Sequence, residues 1–175
     1  MKALPRIVKL HGGQYLLRAL GPPDMEQLRT FFYSHTPETI HLRYGYMIKD
    51  MTPERAALLV GVDQTRDFAL GIFEDSPKGQ ILDAVGRYCL DDTGASAEMA
   101  FVVRESKRGL GMASLLLQTL VDAAQSRHLM EAWASVAPDN HTMLHLLHKA
   151  GFKTGKPSSD GNLVWRLGLS KKPAR

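Results

Sequence analysis

The apolar run Met99-Ala100-Phe101-Val102-Val103 is followed, four residues later, by Arg108-Gly109-Leu110-Gly111-Met112-Ala113, and an amphipathic stretch then covers residues 114–125. A strand-like run, a glycine turn and a helix-period pattern in that order constrain the chain more than any other feature: the backbone leaves a sheet, turns sharply and starts a helix. Glycines at the mouth of a helix let the backbone come close to a ligand. The N–H groups of the first helical turn have no partner of their own there, and with the helix dipole they suit an anion. The plainer alternative for Gly109 and Gly111 is a turn into a helix that holds nothing.

Spacing excludes two familiar phosphate loops. The string G-x-x-x-x-G-K-[ST] occurs nowhere in the chain. A dinucleotide fingerprint needs G-x-G-x-x-G near the start of a βαβ unit, whereas here Gly109 and Gly111 are followed by Ser114 and lie past the middle of the chain.

Strand and helix signals can be read along the rest of the sequence. Residues 14–20 are expected to form the first strand, ended by Gly21-Pro22-Pro23, with Asp24 capping a helix on which Met25, Leu28, Phe31 and Phe32 share one face. Residues 37–42 form a short helix, and Thr52-Pro53-Glu54 opens another. Between them Arg43-Tyr44-Gly45-Tyr46-Met47 is too aromatic and glycine-broken for ordinary helix. Residues 68–73, 81–90 and 98–103 follow as antiparallel strands, joined by Asp75-Ser76-Pro77-Lys78-Gly79 and Asp91-Asp92-Thr93-Gly94. Residues 130–136 are a strand, 140–150 a helix and 163–169 a closing strand.

The six residues from Arg108 to Ala113 resemble the acyl-CoA pyrophosphate loop of the GNAT superfamily of N-acetyltransferases, [Q/R]-x-x-G-x-[G/A], with Arg108, Gly111 and Ala113 in the defining positions. Asn140-His141-Thr142-Met143 with Leu146, Lys149 and Gly151-Phe152 is similar to the second motif of that superfamily. The likeness covers about residues 14–169, and within the superfamily it is greatest to the acetyltransferase domain of bacterial protein-lysine acetyltransferases. That finer match rests on Leu42-Arg43-Tyr44, on Leu58-Leu59 with Val62-Asp63, and on Ala97-Glu98-Met99-Ala100 with Val103-Arg104. The resemblance implies an α/β fold of the α+β type, with a mixed, mostly antiparallel central sheet of six to seven strands flanked by helices. One domain is expected over residues 1–175, with a basic tail at 170–175.

It also implies acetyl transfer from acetyl-CoA to a primary amine, with protein lysine as the favoured acceptor. Cofactor-binding positions carried over are Phe101, Val102 and Val103 on a bulged, splayed strand, then Arg108, Gly109, Leu110, Gly111, Met112, Ala113 and Ser114 in the turn, and Asn140. Arg108 would add a charge-assisted contact to phosphate. Asn140 is also a natural N-cap for its helix. Glu98 is the candidate general base, because an amine of reference pKa about 10.4 arrives protonated. Arg43, Tyr44 and Tyr46 are the candidate acceptor wall. The tyrosine that many members use as general acid is replaced by Leu147, which leaves the acid half of the reaction open. A small-molecule amine acetyltransferase and a non-catalytic acetyl-CoA sensor therefore stay as alternatives.

Composition narrows the classes further. The 22 basic against 18 acidic residues give a mild +4, without the basic, aromatic-interleaved stripe of a nucleic-acid binder. No signal-peptide core and no run of eighteen apolar residues occurs, so neither nucleic acid nor membrane is expected as a partner, and the expected location is the cytoplasm. Monomer and homodimer are both compatible. The lone Cys89 excludes an intrachain disulfide framework and reads as a buried strand residue. His141, His145 and His148 share a helix face, a spacing that can hold zinc. The neighbouring Met143, Leu146, Leu147 and Ala150 mark the core side, so histidines facing solvent or the cofactor edge, and no metal, are expected.

Overall fold

A computed structural model describes residues 3–44 and 48–169. The chain starts with a hairpin, β1 (Arg6–Leu10) and β2 (Gly13–Ala19), turned by His11 and Gly12 at φ 44 and 85. Positive φ at both turn residues matches the twist of a two-residue hairpin. A single 3-10 turn leads into α1 (Met25–Tyr33), and α2 (Pro37–Tyr44) and α3 (Pro53–Val60) complete the first helical layer. Then come β3 (Phe68–Ser76), β4 (Gly79–Leu90) and β5 (Ser96–Val103), the glycine turn, and α4 (Met112–Ser126). The chain closes with β6 (Glu131–Val136), α5 (His141–Lys149), β7 (Lys153–Pro157) and β8 (Leu163–Gly168).

The strands form one sheet in the order β1-β2-β3-β4-β5-β6-β8-β7, antiparallel except for β5 beside β6. The mixed, mostly antiparallel sheet is as expected, with eight strands rather than six to seven among the described residues. The two extra strands lie at the edges. β1 alternates half-buried and exposed residues, and every residue of β7 is exposed, so neither shows a strong apolar run.

Strand alternation divides the core between the two faces. On one face Leu70, Ala84, Tyr88, Met99 and Phe101 pack with Leu116, Leu117 and Leu120 of α4. A Cβ at Gly86 would lie 3.2 Å from Leu116, so the missing side chain lets α4 settle onto β4. On the other face Ala69, Phe73, Val85 and Val102 pack with Leu28, Phe31 and Phe32 of α1 and with Ala56 and Val60 of α3. Thr52 caps α3 as expected, accepting from Arg55 N at 3.3 Å.

Three expectations need correction. Asp24 makes no cap bond; its buried carboxylate takes both guanidinium nitrogens of Arg18 at 2.7 and 2.8 Å and the Gly21 amide at 2.9 Å. Arg43 and Tyr44 are the last turn of α2, not a broken loop, because packing of that helix outweighs the weak local pattern. The anticipated bulge is not in β5, whose register with β4 is unbroken from Ala97 to Val103. The break lies between β3 and β4, where Ile72 pairs with Ala84 and Phe73 with Leu82, leaving Asp83 as the additional residue. None of the helices among the described residues is long and apolar enough to cross a membrane.

Candidate functional site

The parallel ladder between β5 and β6 lasts three residues, Ser96, Ala97 and Glu98 against Glu131, Ala132 and Trp133. Beyond it β6 continues to Val136 and β5 to Val103, but they no longer pair with each other. β5 stays bonded to β4 along this length, and β6 to β8. The sheet therefore opens in a wedge whose apex is Glu98 and whose sides carry unpaired backbone groups. Buried backbone groups need a partner, so such a wedge suits water or a ligand with amides of its own. The Phe101, Val102 and Val103 side chains are buried in the core, and only their backbone is left for a ligand.

The glycine turn lies beyond the wedge. Gly109 and Gly111 have φ of 80 and 82, which favours glycine, and a Cβ at Gly109 would meet nothing within 4 Å. Conformation, not crowding, is what requires these glycines. Gly111 is the N-cap of α4 and offers no side chain to the helix. The first helical bond runs from Leu115 N to Gly111 O at 3.0 Å. The amides of Gly109, Leu110, Gly111, Met112, Ala113 and Ser114 donate to no acceptor among the described residues. Met112 itself is buried, Leu110 and Ala113 are half-buried, and the Ser114 side chain is exposed beside the row of amides.

Two sets of side chains brace this turn. Asp83, put out of register by the bulge, is buried and accepts from Arg104 Nε at 3.0 Å, with Lys107 Nζ at 3.7 Å. Lys107 also meets Glu74 at 2.6 Å, and Arg104 donates to Leu82 O at 2.8 Å. Burial pushes the Asp83 carboxyl up, against the opposing pull of Lys107 and Arg104. The second brace centres on Glu105, which accepts from Thr36 N at 3.0 Å and Thr36 Oγ1 at 3.1 Å, with His35 Nδ1 at 3.4 Å. Burial would raise Glu105, but hydrogen bonds from Thr36 and Thr39 outweigh it and hold the carboxyl at about 2. Burial also lowers His35, so the His35–Glu105 contact is a neutral imidazole's hydrogen bond at ordinary pH. Arg108 donates to Thr39 Oγ1 on α2 at 2.6 Å, with Glu105 at 3.8 Å. In this structure its guanidinium binds α2.

Glu98 is half-buried and makes no hydrogen bond with the described residues. Cys89 of β4 stands directly across from it, and Arg87 lies one diagonal step away, opposite Ala100. Burial raises the Glu98 carboxyl, and Arg43 of α2 pulls it back down. Cys89 is half-buried rather than fully buried, and its thiol is pushed up by that burial, so it is poorly ionised. Arg43 is half-buried beside this group; Tyr44 ends α2, and Tyr46 lies outside the described residues.

The remaining sequence candidates lie on and around α5. Asn140 is its N-cap, with Oδ1 accepting from Met143 N at 3.2 Å. Leu147 is buried in the core, where no proton donor faces the wedge from its position. His141, His145 and His148 are exposed, as the helix pattern predicted, and His148 meets the Trp165 ring edge-on. Sequence reasoning missed Arg87, Glu105 and Asp83. The available signal was a charge inside an apolar strand run, Arg87 between Gly86 and Tyr88 and Asp83 between Leu82 and Ala84.

Comparisons with known proteins agree with this geometry. A sequence model of the acetyltransferase (GNAT) family matches residues 27–152. The chain is 26% identical over 161 residues to the acetyltransferase PA5475 of Pseudomonas aeruginosa, covering 90% of this chain and 86% of that protein. Among solved structures it superposes on the GNAT domain of S. lividans PAT with a TM-score of 0.84 and 24% identity, covering 94% of this chain and 97% of the other. A cAMP-binding acyltransferase from Mycobacterium smegmatis gives a TM-score of 0.64 at 23% identity, over 95% of this chain but 47% of that one.

Proposed function

Because the chain belongs to the acetyltransferase (GNAT) family, we propose that it transfers acetyl from acetyl-CoA to a primary amine, that the amine is a protein lysine, and that Glu98 is the base. The observation carrying this reading is the position of Glu98, at the last rung before β5 and β6 part. The row of unpartnered amides at the start of α4 lies beyond the other end of the same open strand.

The residues present fit a CoA ester. The amides from Gly109 to Ser114 form a concave row of donors at a helix N-terminus, suited to a pyrophosphate. The open edge of β5 between Met99 and Val103 offers backbone partners to the amides of a pantetheine arm. Asn140 Nδ2 is left for the same ligand while its Oδ1 caps α5. Acetyl-CoA supplies an acetyl group activated as a thioester.

The chain's own task is to present the amine uncharged. A lysine ammonium must lose a proton before its nitrogen can attack, and Glu98 is the carboxylate at that point of the wedge. Burial raises its carboxyl and makes it a better proton acceptor than an exposed glutamate, with Arg43 opposing part of that rise. Lysine as the acceptor is supported by the likeness of residues 42–44, 58–63 and 97–104 to bacterial protein-lysine acetyltransferase domains. With Leu147 buried, its position supplies no proton to the departing thiolate, of reference pKa near 8.5.

The test is Glu98→Gln. Turnover measured as free-thiol release with a lysine acceptor should fall about a hundredfold or more, while acetyl-CoA binds as before. Unchanged turnover at both neutral and alkaline pH removes Glu98 from the reaction.

A further inference from the structure

The face of the sheet that carries Glu98 holds an arginine for which neither fold nor base gives a reason. Arg87 lies on β4 between Ala69 of β3 and Ala100 of β5, in the middle of the sheet. Its Nε is buried and has no hydrogen-bond partner among the described residues. Arg87 is half-buried, and leaving the buried edge of its guanidinium unpaired is costly, so that edge calls for an acceptor from elsewhere.

The surroundings say what kind of anion. Arg87 and Arg43 line a small cavity with Leu28, Leu59, Ala69 and Val85. Its volume is about 10 Å³, room for roughly one water. That space takes about one oxygen atom of a ligand and excludes a sugar or a ring. Apolar walls lower the local dielectric and strengthen any ion pair formed inside. Among the described residues Glu98 and Asp67 are the carboxylates acting on this group, and Asp67 Oδ1 also accepts from Leu90 N at 3.0 Å. The buried, unpartnered Arg87 Nε is the donor on this face still open to an acceptor's polar group. Such a donor suits an acceptor bearing its own negative charge.

We propose that Arg87, with Arg43 beside it, selects the acceptor by binding a carboxylate carried close to the reacting amine. The planar fork of a guanidinium matches a carboxylate in both charge and shape. Glu98 and Arg87 are cross-strand diagonal neighbours, about 7–8 Å apart at Cβ, so amine and carboxylate sit only a few bonds apart on the acceptor. An acidic residue flanking an acceptor lysine and the α-carboxylate of a free amino acid both meet that description. The inference rests on the amine-acetyltransferase reading and deepens it.

Two matched acceptor pairs test it: a lysine peptide with Glu beside the acceptor against the same peptide with Gln, and a free amino acid against its amide. Free-thiol release gives kcat/KM for each. The wild-type chain should favour the carboxylate member of one pair by about tenfold or more, and the pair that shows the preference identifies the source of the carboxylate. Arg87→Gln should abolish that preference through a raised KM for the carboxylate acceptors, and Arg87→Lys should retain part of it. Acid and amide acceptors within twofold of each other on the wild-type chain would overturn the proposal, as would an Arg87→Gln that slows both members equally. If the variant fails to fold, the wild-type comparison decides alone. Failure to acetylate every acceptor counts against the transferase reading instead. Calorimetric binding of the acid and amide acceptors to the acetyl-CoA-loaded protein then still judges Arg87.

Discussion

The two ends of the wedge are made from different materials. The proposed donor end, from Met99 through Ser114, presents backbone: strand amides freed by the parting of β5 and β6, and helix amides exposed by Gly109 and Gly111. The proposed acceptor end presents side chains, Glu98, Arg87 and Arg43, brought together from β5, β4 and α2. Backbone geometry follows from a few local residues, above all glycines, so it leaves a short contiguous motif. A side-chain cluster depends on register and helix packing, and its members are scattered along the chain. The proposed donor end is thus written locally in the sequence, and the proposed acceptor end by the tertiary fold.

The largest effect that could break this contrast is at the acceptor end, the roughly hundredfold loss of turnover expected from Glu98→Gln with donor affinity intact. If donor affinity falls with it, the two ends are not separable. Next is Gly111→Val. Its φ of 82 is a left-handed conformation that costs a β-branched residue about 2 kcal/mol or more. Acetyl-CoA affinity, measured by calorimetry, should weaken about thirtyfold while the preference among acceptors stays as it was. An unchanged affinity would show that the turn is not the cradle.

A smaller effect concerns the link between the ends. Glu105 sits just before the glycine turn and holds the start of α2 through Thr36 and His35. Its folded value of about 2 lies below the ordinary 4.5. Its hydrogen bonds therefore add stability that is complete above pH 4.5 and is lost as the pH falls towards 2. Glu105→Gln should cost about 1 kcal/mol at neutral pH and flatten that acid limb in thermal melts recorded across the range. A variant with the wild-type acid profile would mean the brace contributes nothing.

Legibility in the sequence follows the same division. The glycine turn, the Thr52 cap, the strands around residues 68–103 and the helix from His141 were readable because each is decided within a few residues. β1 and β7 were not, since edge strands with exposed or half-exposed faces carry no continuous apolar signal. Glu98 was legible as a residue type, but its place at the apex depends on a ladder that stops after three residues, which no local pattern encodes. Arg87 and Arg43 meet only through tertiary packing. Arg108 was read as a phosphate contact, yet its guanidinium is bound to Thr39, a partner 69 positions earlier in the chain.

The short ladder between β5 and β6 also has a consequence in time. An amide tied into a sheet exchanges its proton with solvent only when the sheet opens, whereas one facing an open wedge exchanges without that event. The β6-facing amides between Met99 and Val103 should exchange orders of magnitude faster than their β4-bonded neighbours on the same strand. Saturating acetyl-CoA should slow them to the neighbours' pace, and equal protection of both sets in the free protein would contradict this. The middle of the sheet would then be the last part of the fold to become rigid, finished by a small molecule lying where a strand partner would otherwise be.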